Sequence, residues 1–273
     1  MLRLSIPPID SVKLWDTIVL NKTHVQRDRL LPVQKQVIDR YSYYQEHFNS
    51  IDEVLPLDQT TWTDVKNELI SCYGKSIAFQ QAKKIIFEGK AKCPYCMLNR
   101  PNTLDHYFDK SDYPEYAVFV PNLIPCCSEC NTAKGTAVFD DGGHRKYMHF
   151  YLDCIPEYQF LFVRFESGTG EAVPQITTFL RFRDNELAHR EIESHFQSLG
   201  LNYKYQMTIA DRLSTILDEF QISKEQGLTL NDPKTSISIR HRSCAKRNGY
   251  NYWEACMYEG ILSSPNFMES YLV

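Results

Sequence analysis

Apolar side chains recur every three or four residues along much of the first third of this 273-residue chain. Behind Pro32, one such stripe extends to Phe48, and two further stripes follow it. Ser76 precedes the last of them and Gly89 follows it, which is typical of a helix start and a helix end. The spacing predicts a helical N-terminal region over residues 1–90.

The pattern changes in the second half of the chain. Residues 158–165 and 176–182 are rich in aromatic and β-branched side chains, and the glycine-containing run 167–170 lies between them. This arrangement predicts a β-hairpin. Helical spacing returns from Asn185. We therefore expect residues 156–273 to form a C-terminal region of one hairpin plus helices.

The segment between these regions, residues 91–155, contains two Cys-x-x-C pairs. Cys93 and Cys96 form the first pair, and Cys127 and Cys130 form the second. Four thiolates in two such pairs supply the tetrahedral ligand set of a structural zinc ion. The segment between the pairs is long enough to carry a working element of its own.

The four cysteines have two other interpretations, namely unrelated buried thiols and disulfides. The cysteine count is nine, an odd number, and no signal peptide is evident after Met1. We therefore expect a reducing cytoplasm, in which disulfides are rare. Cys126 is an alternative to Cys127 as a ligand. The two-residue spacing favours Cys127, because it lets both sulfurs face one ion.

The chemistry-bearing residues inside this segment begin with Asp105 and His106. An imidazole takes a proton from water near neutral pH, and a carboxylate beside it holds a hard divalent ion. Hydrolysis of a phosphodiester needs both functions. Asn131 follows a cysteine ligand directly, so its amide oxygen is a second candidate ligand, and we expect a helix to open at this residue. Taken alone, an Asp-His pair is also a common surface turn, and an asparagine at this place is also a common helix cap.

Three further side chains complete the candidate site. Asn122 is placed to hydrogen-bond the loop or the His106 ring and so to orient it, although an asparagine after proline is also a common turn residue. Lys110 and Lys134 are candidate phosphate contacts. These residues extend the prediction from a metal site to a site for a phosphodiester.

The order D-H, N-L and C-x-x-C-N-x-x-K-G resembles the signature of the HNH endonucleases, in the zinc-knuckle branch of the ββα-metal nucleases. The resemblance implies an α+β protein with a small ββα-metal HNH core and structural zinc at residues 91–155, flanked by mainly helical regions. It implies that His106 is the general base and that Asp105 and Asn131 bind a catalytic Mg²⁺ or Mn²⁺ ion. Asn122 becomes the middle asparagine of the motif.

Two positions depart from the commonest form of that signature. Asn131 stands where many members have histidine, and both residues occur in the family. Asp109 stands where many members have proline, which changes the loop after the strand that carries His106 or adds a carboxylate near the ion.

A weaker similarity covers the flanks of the motif. Residues 113–116 and 149–153 resemble the HNH subunits of bacterial anti-phage systems of the Septu type and of some retron systems. In those systems the nuclease works beside an ATPase. The resemblance thus implies an effector nuclease with an ATPase partner subunit.

Composition and charge limit the mode of nucleic-acid binding. The formal net charge is −4, so a basic surface for nucleic acid must be local. Residues 233–253 contain no acidic side chain. The basic residues of this stretch that we expect to contact nucleic acid are Arg240, Arg242, Lys246 and Arg247. A solvated helix face or a partner-binding patch would have the same composition.

Aromatic residues are abundant, with 17 tyrosines and 15 phenylalanines. Clusters such as Tyr41, Tyr44 and Phe48 either stack nucleobases or form a core, and helical spacing favours the core. No apolar run approaches the roughly 20 residues of a membrane span.

The sequence therefore predicts a metal-dependent HNH endonuclease that hydrolyses phosphodiester bonds in DNA or RNA. The alternative is a non-catalytic zinc module that binds nucleic acid or a protein partner. A third possibility is a nuclease subunit that is silent until its partner releases it. The Asp-His-Asn set favours an enzyme, because a binding module needs neither a base nor hard-metal ligands.

Overall fold

The computed structural model shows a protein of mixed helix and sheet. It describes the chain in these stretches: residues 3–58, 60–74, 76–166, 174–183, 187–227, 232–264, 266–267 and 269. Two compact units divide the chain, one formed by Arg3–Cys154 and the other by the described residues from Ile155 onward. The α+β class predicted from the sequence is confirmed. None of the described helices combines the length and the apolarity that a membrane span requires.

Among the described residues of the N-terminal unit, five α-helices precede the cysteine-rich segment: α1 (Ser11–Leu20), α2 (His24–Leu30), α3 (Gln34–Glu46), α4 (Lys66–Ser71) and α5 (Ile77–Phe87). The predicted cap of the last helix is present, because the Ser76 side chain accepts a hydrogen bond from the Phe79 amide at 3.1 Å. All of these helices lie within residues 1–90, the stretch in which the spacing of apolar residues predicts helix.

A short hairpin and one helix follow. Strand β1 (Thr103–His106) pairs antiparallel with β2 (Leu123–Cys126), so that Asp105 lies opposite Ile124. Helix α6 (Ser128–Lys134) begins directly after β2 and contacts β1. We expected this helix to open at Asn131. It begins one turn earlier, because the Cys127 sulfur caps it by accepting a hydrogen bond from the Cys130 amide at 3.5 Å.

Aromatic packing fixes α3 against the segment between β1 and β2. The fully buried Tyr44 ring makes edge-on contacts with Phe108, Tyr116 and Phe119, at centroid separations of 5.5, 4.9 and 5.1 Å. Tyr41 stacks on Phe119 at 4.3 Å. These rings form the core, as helical spacing suggested.

A buried ion pair reinforces the same junction. The Arg40 Nε atom of α3 donates to Glu115 at 2.9 Å, and both side chains are buried. Glu115 belongs to the 3₁₀ turn Pro114–Tyr116, which lies between the two strands. Removal of either partner would leave an uncompensated buried charge, so this pair fixes the position of the turn.

The second unit contains the predicted hairpin and helices. Strand β3 (Leu161–Glu166) pairs antiparallel with β4 (Gln175–Leu180), and four helices follow: α7 (Leu187–Leu199), α8 (Leu201–Glu225), α9 (Pro233–Asn248) and α10 (Trp253–Leu262). The predicted turn at 167–170 lies outside the described residues. Helix α10 packs closely on β3, because a Cβ atom on Gly260 would meet the Val163 carbonyl at 2.5 Å.

Candidate metal centre and hydrolytic site

Four cysteine sulfurs meet between the loop before β1 and the start of α6. The Sγ atoms of Cys93, Cys96, Cys127 and Cys130 all lie within 4.8 Å of one another, and all four residues are buried. Cys126 is buried as well but lies outside this cluster. Cys127 is therefore the fourth member, as the two-residue spacing predicted.

The sulfur geometry fits a tetrahedral metal site. With a Zn–S distance of about 2.3 Å, neighbouring sulfurs of a tetrahedron lie about 3.8 Å apart. The Cys96 and Cys127 sulfurs are 3.9 Å apart, far beyond the roughly 2.05 Å of a disulfide. The cluster can hold a structural metal such as zinc.

Backbone amides turn toward these sulfurs. The Cys127 amide donates to the Cys93 sulfur at 3.3 Å, and the Leu98 amide donates to the Cys96 sulfur at 3.5 Å. Hydrogen bonds from Cys130, Cys93 and Cys96 hold the pKa of the Cys127 thiol far below its usual value. The hydrogen bonds with Cys127 raise the pKa values of the Cys93 and Cys130 thiols, so the four sulfurs share their protons unequally. The thiolate is the form of cysteine that binds metal.

Asp105 lies in β1 with its carboxylate turned into the unit, at 3% exposure. Its Oδ2 atom accepts a hydrogen bond from the Tyr95 hydroxyl at 2.6 Å. Its Oδ1 atom accepts one from the Lys134 ammonium at 3.1 Å. Burial raises the pKa of Asp105, and the Lys134 charge opposes that shift.

The next residue, His106, has a defined tautomer. Its Nε2 atom lies 3.0 Å from the carbonyl oxygen of Ala117. A carbonyl only accepts hydrogen bonds, so Nε2 carries the proton and Nδ1 of the neutral ring keeps its lone pair. Burial lowers the pKa of His106 to about 4. The ring is therefore neutral at pH 7 and has one nitrogen ready to accept a proton.

Asn122 fixes the chain directly after β1. Its Oδ1 atom accepts from the Phe108 amide at 2.8 Å, and its Nδ2 atom donates to the Phe108 carbonyl at 3.0 Å. The side chain is fully buried. The sequence left open whether Asn122 bonds the loop or the His106 ring. These two hydrogen bonds go to the loop.

Asn131 and Lys134 lie on α6 three residues apart, and that spacing places them on the same face of a helix. Asn131 is partly exposed, and its backbone N–H donates a hydrogen bond to the Cys127 carbonyl at 3.0 Å. Lys134 is 3% exposed and donates to Asp105 and to the His106 carbonyl. This placement does not support the predicted phosphate contact for Lys134, because its ammonium is buried against a carboxylate.

The other predicted phosphate contacts are more exposed. Lys110 is half-buried, and its ammonium lies 5.7 Å from the centroid of the Tyr73 ring. Arg240 is partly covered by an ion pair with Glu219 at 2.5 Å. The remaining three residues are exposed on α9 of the second unit: Arg242, Lys246 and Arg247.

Two tyrosines at the site were missed in the sequence. Tyr95 lies between the two cysteines of the first Cys-x-x-C pair, and its hydroxyl donates to Asp105. Its place within that pair is the sequence feature from which a position near the site could have been predicted. Tyr73 packs edge-on against the His106 ring at a centroid distance of 4.5 Å. Nothing in the local pattern marks it, because the contact depends on the packing of residues distant in the chain.

We expect replacement of a cluster cysteine to abolish metal binding and folding of the N-terminal unit. Cys130→Ala should purify without zinc and should lose cooperative melting, because the binding energy of a structural zinc is folding energy, about 10–16 kcal/mol in small zinc modules. Cys126→Ala is the matched control and should retain about one zinc per chain. Elemental analysis and calorimetry measure both. Equal zinc content in the two variants would contradict the assignment.

The protonation of His106 gives a second prediction. Because burial lowers its folded-state pKa from 6.5 to about 4, the ring should stay neutral at pH 5.5 and take a proton only as the pH falls toward 4. Acid should accordingly weaken the folded state as the pH falls from about 6.5, where the unfolded chain takes up the proton, to about 4, where the folded ring does. Nitrogen-15 NMR of the histidine rings reports both protonation and tautomer, and His144 provides an exposed reference ring. A protonation midpoint near 6.5, or a proton on Nδ1, would show the described environment to be wrong.

No family model matches the chain, and no solved structure matches it. Protein ea31 of Escherichia phage lambda is 25% identical over 187 residues, which cover 64% of this chain. The chain spans 63% of the length of that relative.

Proposed function

We propose that this protein is a metal-dependent endonuclease of the HNH type, which hydrolyses phosphodiester bonds in nucleic acid. One observation carries the proposal: a buried histidine whose Nε2 is held by the Ala117 carbonyl directly follows a buried aspartate, on the strand between the two halves of a four-cysteine cluster. The order β1, β2 and α6 agrees with the ββα arrangement that the motif implies. The relative in phage lambda carries no argument for or against this activity.

His106 is the proposed general base. The Ala117 carbonyl holds Nε2, which turns Nδ1 toward an attacking water and fixes the tautomer that can take its proton. The depressed pKa of His106 keeps the base free of protons at neutral pH. Asn122 holds the backbone at Phe108 and so limits movement of the strand end that carries the base.

Asp105 and Asn131 are the residues that would hold a catalytic divalent ion. A carboxylate and an amide oxygen are hard donors, which fit Mg²⁺ or Mn²⁺. Such an ion supplies positive charge for the scissile phosphate and the leaving oxygen. The donor chemistry fits the ion, although Asp105 is shared with Lys134 and Tyr95.

Lys110, Arg242, Lys246 and Arg247 remain the candidates for phosphate contact in this proposal. The ATPase partner and the anti-phage role stay predictions, because they depend on the sequence resemblance alone. A zinc module without catalysis is the competing function.

His106→Ala tests the proposal. Loss of a general base should lower the cleavage rate by at least about a hundredfold on duplex DNA, single-stranded DNA or RNA with Mg²⁺ or Mn²⁺. His144→Ala, which changes an exposed histidine of the same unit, should cut at the wild-type rate. A gel-based time course measures both.

Two outcomes would count against the enzyme. If the His106→Ala variant cleaves as fast as wild type, His106 is not the general base. Wild-type protein that shifts nucleic acid on a native gel, but cuts none of the three substrates with either metal, would favour the binding module.

A further inference from the structure

The carboxylate that the proposed function assigns to a divalent ion already has a cation. Lys134 places its ammonium 3.1 Å from Oδ1 of Asp105, and the Tyr95 hydroxyl takes Oδ2 at 2.6 Å. Asp105 and Lys134 are each 3% exposed. This is a closed ion pair inside the unit, unlike the surface pairs that solvent screens.

The ammonium is held from more than one side. It donates to the His106 carbonyl at 3.0 Å and lies 5.9 Å from the centroid of the Tyr107 ring. Lys134 thus connects the last residue of α6 to both residues of the Asp-His pair. Basic side chains are favoured at this end of a helix, which adds to the stability of the arrangement.

A divalent ion on Asp105 would meet this charge at short range. Each carboxylate oxygen has two lone pairs, so geometry alone leaves room for another partner. Charge does not, since two cations a few ångströms apart in a buried site repel strongly. The ammonium and the metal ion are therefore alternative partners of one carboxylate.

We propose that Lys134 is a built-in counter-ion of Asp105, which a divalent cation must displace before it binds that carboxylate. The inference rests on the proposed role of Asp105 as a metal ligand. The lysine stem is flexible, and Gly135, which follows it with φ of +60°, ends the helix there. The ion pair neutralises the charge of Asp105, and a divalent ion that binds this carboxylate takes the place of the ammonium.

The test compares Mn²⁺ binding by full-length variants with the cysteine cluster loaded with zinc. Lys134→Met keeps the length of the side chain and removes its charge. It should bind Mn²⁺ at least about tenfold more tightly than wild type at pH 8, where protons compete least for Asp105. Electron paramagnetic resonance of free Mn²⁺ measures the affinity, and Mn²⁺ should raise the melting temperature of this variant more than that of wild type.

Three variants serve as controls. Lys146→Met makes the same change of charge at a lysine that lies over the Tyr147 ring and has no role in the proposed site, and should leave the affinity within about twofold of wild type. Tyr95→Phe removes the other hydrogen bond of Asp105 without a change in charge, and should not reproduce the gain. Lys134→Gln removes the charge but keeps a hydrogen-bond donor, so it tests the inference even where Lys134→Met folds poorly.

The outcomes separate the inference from the proposed function. Equal Mn²⁺ affinity in wild type and both Lys134 variants, with that binding lost in Asp105→Asn, overturns the counter-ion and leaves the nuclease proposal intact. Mn²⁺ binding that survives Asp105→Asn overturns both the counter-ion and the ligand assignment. Tighter binding in both Lys134 variants, abolished by a second change Asp105→Asn, supports the inference.

Discussion

The approach of four cysteine sulfurs to one another is the constraint on which the N-terminal unit depends. It joins the loop before β1 to the first turn of α6, so that the two ends of the 93–134 segment meet. Without a shared ion, four buried thiolates would repel one another. With it, the register of β1 on β2 and the position of α6 follow, because Cys127 is both a cluster member and the cap of that helix.

A network of hydrogen bonds between buried polar side chains adds to the constraint from the cysteine cluster. Tyr95 reaches Asp105 from inside the first Cys-x-x-C pair, and Lys134 reaches it from α6. Asn122 joins the end of β1 to the turn before β2. Each of these side chains is buried, so the loss of one partner would leave an unsatisfied polar group. The candidate hydrolytic residues are therefore held by contacts from several directions, as a preorganised site requires.

Much of this frame was predictable, because its signals are local. Cys-x-x-C spacing identified the cluster, and helical periods identified α3, α5 and α7. The start of α6 was misplaced by one turn because a sulfur, rather than a typical oxygen cap, begins it. The ion pair between Lys134 and Asp105 was not predicted, because the two residues lie far apart in sequence. The Tyr73 contact with His106 depends on tertiary packing alone, which no local pattern contains.

We expect the four thiolates of this chain to hold one zinc ion and thereby to position β1 and α6. Extended X-ray absorption fine structure at the zinc edge of the purified protein identifies the ligands of that ion. The spectrum should show a single shell of four sulfur ligands at about 2.3 Å. A shell that contains nitrogen or oxygen ligands at about 2.0–2.1 Å, or a protein that carries no zinc, would contradict it.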